Sequence, residues 1–254
     1  MDGHGHDLWH ARVGRRAPHR GHRQQDDQAD LRLHAREAGG LTLERLLRVV
    51  GPLATNLHLL ADERSGEAIA IDTAIPSLPW LTDELAARSW TLKLIVSTHG
   101  HWDHIGDNAR VAQHTGAQIA AHPLDRDRLI NPSGIWAPFE IPPSVPAVDL
   151  AEGGEVLFGS IRLEVLHTPG HTEGSVCLLA RDEGLLFSGA TLFAGSFGRV
   201  DLPGGSPEAM AESLARLSRL ADPISVLPGH GPETTIGRER AWLELVAREG
   251  RLPI

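Results

Sequence analysis

The chain has 254 residues, a formal net charge of −9 and a single cysteine, Cys177. This length allows one large domain with a sizeable core, the acidic balance argues against nucleic acid as a partner, and one cysteine excludes a disulfide framework or a cysteine-based zinc site. No apolar run approaches the roughly 18 residues of a membrane span, and the cysteine usage is consistent with a reducing, cytoplasmic location.

The first 40 residues differ in composition from the rest of the chain. They are rich in histidine and arginine and contain no sustained apolar period. Such a segment buries too little surface to offset the entropy lost on ordering. We therefore expect residues 1–40 to be a disordered extension and residues 41–254 to form the folded domain. The stretch 31–47 is nevertheless compatible with a short helix.

Short apolar runs bounded by turn residues predict strands along the rest of the chain. They lie at 48–50, 56–61, 68–72, 92–97, 117–121, 155–166 (two strands), 175–180, 185–188 and 224–227. Helical patterns separate them at 77–88, 108–114, 123–130, 207–220 and 235–248. Ser77 is the expected N-cap of the first of these helices. The alternation indicates an α/β fold.

One long connection, residues 131–146, is rich in proline and carries Ile135, Trp136 and Phe139. Irregular loops of this length usually have a role or are disordered. Its apolar side chains either line the mouth of a substrate site or cover the core, and the sequence leaves both interpretations open.

Residues 98–104 read T-H-G-H-W-D-H and concentrate four candidate metal ligands. Imidazole and carboxylate are groups that zinc accepts at about 2.0–2.2 Å. The segment follows the strand predicted at 92–97, where open α/β sheets place their ligand sites. His99 and His101 point the same way from an extended segment, while Asp103 and His104 come later and can face a second ion. Three histidines and an aspartate at this spacing are too many for a loop that only caps a helix.

The H-x-H-x-D-H spacing is that of the metallo-β-lactamase superfamily, which the chain resembles from about Leu46 onward. The resemblance implies an α/β sandwich, in which two mixed β-sheets pack face to face and helices cover the outer faces. It also implies that His171 and His230, each in a P-G-H turn, complete two metal sites. His171 would join His99 and His101, and His230 would join the aspartate and histidine that follow them.

The same resemblance identifies supporting and missing residues. Asp72 matches an aspartate that braces the metal loop, although it could equally cap a turn. The family carries a bridging aspartate in a context like S-G-D-T, and here the run S-G-A-T-L-F puts Ala190 at that position. The sequence leaves open whether this alanine is natural or was introduced. The remaining histidines of the folded part match no ligand position: His58, His114, His122 and His167.

Residues 192–205 are similar to the glyoxalase II (hydroxyacylglutathione hydrolase) branch. Within them, Arg199 either meets a substrate carboxylate or forms an ion pair with an acid such as Asp201. The chain contains no tyrosine, whereas the longer enzymes of that branch hold glutathione partly with tyrosines. It therefore resembles the shorter, less specific members.

The resemblance implies a hydrolase with one or two Zn²⁺ per chain, iron or manganese being the alternatives. Hydroxide generated at the metal would attack the thioester or ester bond of a small acyl substrate, with Asp103 and His104 as the catalytic residues. We expect neither nucleic acid nor membrane as a partner, and the oligomeric state stays open. Because Ala190 stands at the position of the bridging aspartate, a second hypothesis stays open: the chain is an inactive metal-binding relative or an engineered inactive variant. A lactonase or a β-lactamase-type hydrolase is a further alternative.

Overall fold

The computed structural model of the chain describes residues 33–34, 43–132 and 137–253. The strands are β1 (Leu33–His34), β2 (Leu43–Val50), β3 (Thr55–Asp62), β4 (Glu67–Ile71), β5 (Thr91–Val96), β6 (Gln118–Ala121), β7 (Val148–Asp149), β8 (Glu155–Phe158), β9 (Ile161–His167), β10 (Val176–Ala180), β11 (Leu185–Gly189), β12 (Leu192–Phe193), β13 (Ser196–Phe197), β14 (Ser225–Pro228) and β15 (Thr234–Thr235). The helices are α1 (Leu78–Arg88), α2 (Trp102–Ile105), α3 (Asn108–Thr115), α4 (Arg126–Ile130), α5 (Pro207–Leu217) and α6 (Ile236–Glu249), and a 3-10 turn, Pro123–Asp125, precedes α4.

Two mixed sheets form the centre of the molecule. The first contains β1 to β7 in chain order; β1 to β4 pair antiparallel, and β4 to β7 pair parallel. The second has the order β15-β14-β11-β10-β9-β8, antiparallel except for the parallel β11–β14 pair. Strands β12 and β13 form a separate small hairpin. The parallel pairs bring several carboxyl strand ends to one edge.

The core lies in three layers, which confirms the predicted sandwich. A central layer packs the facing sides of the two sheets, for example Leu60 against Phe187. One outer layer packs α1 and α3 on the first sheet, and the other packs α5 and α6 on the second. On α5, Met210, Leu214 and Leu217 recur at helical spacing and are all fully buried. Each such side chain contributes about 1.5–3 kcal/mol of burial free energy.

The helix predicted over 31–47 is wrong wherever the structure describes it. Residues from Leu43 onward form β2, whose eight residues pair with β3 in the register Leu43↔Asp62 to Val50↔Thr55. Pairing with a fully buried strand outweighs a weak local helical pattern. Residues 1–32 and 35–42 lie outside the described residues, so the expected disorder of that extension stays a prediction.

Two other sequence predictions need refinement. Ser77 occupies the N-cap position of α1, but its side chain makes no capping bond. Instead, Asp107 Oδ2 accepts the backbone N–H groups of Ser77 and Leu78 at 2.7 and 2.9 Å. In the long connection, residues 133–136, which include Ile135 and Trp136, lie outside the described residues. Phe139 packs edge-on against Trp102 with ring centroids 5.5 Å apart. Across the described ranges, no helix combines the length and apolar character needed to cross a bilayer.

Candidate metal centre

The candidate ligands come from three loops, each following the carboxyl end of a strand. Residues 98–104 follow β5, His171 follows β9 and His230 follows β14. The two packed sheets bring these three strand ends to the same side of the sandwich. Glycine at 170 allows the sharp turn before His171, because its φ of 135° suits no other residue well. Ligands that are distant in sequence therefore meet in one cleft.

The first cluster consists of His99, His101 and His171. Their ligand nitrogens all lie within 4.8 Å of one another, and His101 Nδ1 is 2.8 Å from His171 Nε2. His99 and His171 are buried, and His101 is half-buried. This set of three imidazoles, with one side open to the cleft, is a donor set that zinc accepts in catalytic sites.

The second cluster consists of Asp103, His104 and His230. Its ligand atoms also lie within 4.8 Å of one another. The Nε2 atoms of His104 and His230 are 3.0 Å apart, and Asp103 Oδ2 is 3.1 Å from His230 Nε2. The rings of His99 and His104 approach to 4.1 Å between centroids, so the two clusters are neighbours. Unlike the first cluster, the second contains a carboxylate.

Hydrogen bonds on the far sides of the rings determine which nitrogen faces the cleft. His171 and His230 donate Nδ1–H to backbone carbonyls at 2.7 and 3.1 Å. His104 donates Nδ1–H to Asp72 Oδ2 at 2.8 Å. In the neutral ring, which is the form that binds a metal, each bond leaves Nε2 unprotonated, with its lone pair directed into the cleft.

These nitrogens fit a divalent cation. The Nε2 lone pairs of His104 and His230 face each other at 3.0 Å, and two such groups repel unless a positive charge lies between them. His99 Nε2 is buried and has no hydrogen-bond partner among the residues that the structure describes. An imidazole nitrogen in that position is costly to leave unpaired. A metal ion in each cluster accounts for both observations.

Burial keeps the imidazoles of the first cluster neutral. Burial and the neighbouring imidazoles hold the pKa of His99 well below its usual value and lower the pKa of His101 to about 3. For His171, burial outweighs the favourable bond to the Arg199 carbonyl and lowers the pKa to about 4. The neutral imidazole is the form that binds a metal, so these ligands lose no proton on binding at neutral pH.

The second cluster has the opposite electrostatics. Burial disfavours the charged form of His104, but the carboxylates of Asp72 and Asp103 outweigh it and raise the pKa of that imidazole. Burial likewise opposes ionisation of Asp103, yet His104 and His230 outweigh it and hold the pKa of this carboxyl far below its usual value. The second cluster therefore contains an ionised carboxylate at neutral pH, and the first contains none.

Asp72 braces both clusters. Its Oδ1 accepts the backbone N–H of Thr98 at 2.8 Å, and its Oδ2 accepts the Thr98 hydroxyl and His104 Nδ1–H, each at 2.8 Å. Thr98 thus has no further hydroxyl hydrogen, and its oxygen, 3.2 Å from His99 Nδ1, acts as an acceptor. Asp72 adopts φ of 60°, a conformation that aspartate and asparagine tolerate better than most residues. The bracing role expected of Asp72 thus has a geometric basis.

Both clusters open into a cleft of about 790 Å³. Its lining combines cluster residues with apolar and basic side chains: Leu53, His101, Trp102, Asp103, His104, Arg128, His171, Ala190, Phe193, Gly198, Arg199, Leu202, Pro203 and His230.

Comparison with known proteins assigns the family. Residues 50–230 match the metallo-β-lactamase superfamily. The chain belongs to that superfamily.

Curated relatives of the chain include both uncharacterized proteins and hydrolases. An uncharacterized protein of Aquifex aeolicus is 40% identical over 199 residues, 76% of this chain and 92% of the relative. The probable metallo-hydrolase YqgX of Bacillus subtilis is 34% identical over 75% of this chain and 92% of its own length. The hydroxyacylglutathione hydrolase GloC of Haemophilus influenzae is 34% identical over 73% and 89%. The chain is accordingly a metallo-hydrolase of the superfamily, with glyoxalase II-like relatives.

Solved structures agree with this assignment. The BLEG-1 B3 metallo-β-lactamase superposes with a TM-score of 0.70 and 31% identity, covering 79% of this chain and 98% of that protein. The structure of TTHA1623 in a di-iron-bound form superposes with a TM-score of 0.65 and 34% identity, covering 76% and 96%. The fold is shared with both proteins, and one of them holds two iron ions.

Two residues singled out from the sequence lie at the edge of this superfamily site. Ala190 is buried and lines the cleft together with residues of both clusters. Arg199 is exposed, and its Nε and Nη2 donate to the two carboxylate oxygens of Asp201, both at 2.7 Å. Of the two interpretations given for Arg199, the ion pair is the one present. Its backbone carbonyl also holds His171 Nδ1–H.

Sequence reasoning missed two supporting residues. The carboxylate of Asp125 is completely buried and bonds to the loops that carry the first cluster. The amide of Asn56 donates to the carbonyls of Pro228 and Gly231 at 2.8 and 2.9 Å, on either side of His230. Neither residue lies in a motif, and Asn56 is one of several polar residues of β3, so no local signal distinguished it.

The histidines that matched no ligand position lie outside both clusters. His58 is buried between the sheets, and His114 is exposed on α3. His122 and His167 stack on each other with ring centroids 4.1 Å apart.

Proposed function

We propose that this chain is a zinc-dependent hydrolase that cleaves the thioester or ester bond of small acyl compounds. The observation that carries the proposal is the pair of three-ligand clusters, one of three imidazoles and one that includes a carboxylate, side by side in a single cleft. The hydroxyacylglutathione hydrolase among the relatives supports a thioester as the scissile bond.

Zinc, when bound, acidifies a coordinated water and polarises a carbonyl oxygen. The three histidines of the first cluster and the three ligands of the second would hold the metal ions. Asp103 stays ionised, lines the cleft and can accept a hydrogen bond that orients the attacking water. His104 keeps its lone pair toward the cleft because Asp72 holds the proton on the other ring nitrogen.

The cleft walls favour an acyl group without strong polar recognition. Leu53, Trp102 and Phe193 supply apolar surface beside the clusters. The chain contains no tyrosine, and the side chain of Arg199 is already paired with Asp201. We therefore infer a short acyl thioester rather than a substrate selected through its glutathione portion.

Two other functions have specific observations in their favour. An inactive metal-binding protein is favoured by Ala190, which leaves no carboxylate at the position where the superfamily bridges its metals. A β-lactamase-type or lactone-cleaving hydrolase is favoured by the 31% identity to the BLEG-1 B3 enzyme.

A substrate panel separates the three functions. The chain, loaded with zinc and checked for metal content, is assayed with a short acyl thioester, S-lactoylglutathione, a lactone and a chromogenic cephalosporin. We expect turnover of the thioester, no advantage for S-lactoylglutathione, and a loss of about 100-fold or more in Asp103→Asn. Asp149→Asn, which alters an exposed carboxylate paired with Arg126, is the control. Metal-loaded protein that cleaves none of the four would favour the inactive protein, and cleavage of the cephalosporin or the lactone alone would reject the thioesterase.

A further inference from the structure

Asp125 connects the two loops that carry the first cluster. It lies in the 3-10 turn before α4 and is completely buried. Its Oδ2 accepts the backbone N–H of Gly100 at 2.7 Å and the hydroxyl of Thr172 at 2.7 Å, and its Oδ1 accepts the N–H of Gly174 at 3.0 Å. Gly100 lies between His99 and His101, and Thr172 directly follows His171. One carboxylate thus holds the loops of all three ligands.

This carboxylate does not serve its own helix. Asp125 occupies the N-cap position of α4, yet its side chain makes no capping bond there. A cap would have satisfied the first turn of the helix, whereas the side chain is turned toward the ligand loops. The expected structural use of an aspartate at this position is therefore not the one observed.

The surrounding glycines make the close approach possible. A Cβ at Gly174 would lie 2.7 Å from Asp125 Cγ, and a Cβ at Gly100 would lie 2.6 Å from Arg128 Cβ. Both distances are shorter than real contacts of this kind allow. Only glycine at these two positions lets one loop approach Asp125 and the other approach Arg128 of α4.

The charge of Asp125 is only partly offset by protein groups. Arg128 Nε is 3.5 Å from Asp125 Oδ1. The same guanidinium also lies 2.7 Å from the Pro203 carbonyl and 3.3 Å from Glu173 Oε2, so it is shared among three acceptors. The first cluster itself has three neutral imidazoles. The Asp125 carboxylate bonds directly to the loops that carry all three ligands, so a cation held there would have this negative charge one hydrogen bond behind those loops.

We propose that Asp125 is a positioning residue for the metal ion of the first cluster, holding the His99–His101 loop against the His171 loop and supplying the negative charge that the cluster lacks. The inference rests on the metal binding proposed above. It assigns the first cluster a brace of its own, separate from Asp72.

The test measures zinc affinity in the purified full chain. Asp125→Asn keeps the shape of the side chain, removes its charge and places an amide N–H₂ group against loop donors. Outer partners of metal ligands typically change metal affinity by about 10–100-fold. In a chelator competition, we expect one of the two zinc sites to weaken by that factor and the other to remain as in the wild type. Anomalous scattering at the zinc edge should show the loss at the first cluster. Asp149→Asn is the matched control.

Each outcome is decisive. Zinc affinities equal to those of the wild type, with only a lower melting temperature, would reduce Asp125 to a structural role and overturn the proposal. Equal weakening of both sites would also overturn it. If Asp125→Asn does not fold, Thr172→Val removes one of the three bonds and keeps the charge. It should weaken the same site by a smaller factor, and unchanged affinity would count against the proposal. A wild-type chain that binds no zinc would instead refute the metal-dependent function on which the inference rests.

Discussion

The two clusters use different means to hold a divalent cation. The second contains its own carboxylate, Asp103, and its ligand His104 bonds directly to the buried Asp72. The first contains only neutral imidazoles and is supported through the backbone of neighbouring residues, by way of Asp125. The second cluster therefore has a carboxylate among its ligands, whereas the carboxylate that supports the first cluster lies one hydrogen bond behind its ligand loops.

The difference extends to the way the loops are supported. The His230 loop is clamped by β3, because Asn56 bonds through its side chain to the carbonyls of Pro228 and Gly231 and through its backbone N–H to Gly229. The loops of the first cluster are instead joined by Asp125, which bonds to Gly100, Thr172 and Gly174. Both clusters need glycine at a close approach, because a Cβ would lie 2.7 Å from Asp125 Cγ at Gly174 and 2.7 Å from His104 Cε1 at Gly229.

The largest effect is expected from Asp72→Asn. Asparagine tolerates the positive φ at this position, but its amide would face His104 Nδ1 with a donor. The imidazole would then carry its proton on Nε2, in the direction of the metal. We expect zinc affinity of the second cluster to fall by about 10–100-fold, as measured by chelator competition, with a smaller loss at the first through Thr98.

Asp62→Asn is the control for this variant. Asp62 is another buried carboxylate of the first sheet, and it accepts the backbone N–H and hydroxyl of Ser160 away from the cleft. Both variants should lose about 1–3 kcal/mol of unfolding free energy. Only Asp72→Asn should lose zinc, and equal zinc affinity in the two proteins would contradict the bracing role.

The metal ligands could be predicted from the sequence, whereas the residues that support their loops could not. The loop ligands lie within six residues of each other in a strand-end motif, and the P-G-H turns repeat a local pattern, so their grouping followed from spacing and family resemblance. The bonds of Asp125 span 25 to 49 residues, and those of the Asn56 amide span 172 and 175. No local pattern encodes such partners. Only tertiary packing brings them together.

The same limit applies to the fold. Apolar runs predicted the longer strands and most helices, since burial leaves a pattern in the sequence, but not the two-residue strands β1, β7, β12, β13 and β15. The helix predicted at 31–47 failed because β2 is determined by its pairing with β3, which lies across a turn. The replacement of an expected Ser77 cap by Asp107 has the same origin, a contact 30 residues away.

The second-largest effect is expected from a substitution at Ala190. Ala190→Asp places a carboxylate in the cleft that both clusters share. It would offset repulsion between two cations and hold them near the separation of about 3.5–4 Å at which two-metal sites work. We expect zinc stoichiometry to rise toward two per chain and thioester hydrolysis to rise about tenfold or more, equivalent to about 1.4 kcal/mol of barrier.

Ala194→Asp is the matched control, because it adds the same charge at an exposed residue between β12 and β13. Both proteins should be compared at equal added zinc. If Ala190→Asp binds no more zinc and turns over no faster than Ala194→Asp, residue 190 does not face the metals.

The smallest effect at neutral pH is expected from His58→Leu, between the two sheets. His58 is buried on β3, edge-on to Phe187 with ring centroids 5.2 Å apart. Burial, and secondarily the charge of Arg45, outweigh the nearby Pro228 carbonyl and lower the pKa of His58 to about 3 from an ordinary 6.5. At pH 7 both folded and unfolded states hold this imidazole neutral. As the pH falls below about 6.5, the unfolded chain takes up a proton that the folded chain refuses, so stability is lost. At pH 5 this linkage amounts to about 2 kcal/mol.

His58→Leu should therefore lose less unfolding free energy than the wild type between pH 7 and pH 5, while metal-linked changes are common to both proteins and cancel in the difference. Urea unfolding at the two pH values measures it, with the exposed His114→Gln as control. Parallel losses in His58→Leu and wild type would mean that His58 is accessible to protons in the folded chain, and that the layer between the sheets is not dry at this position.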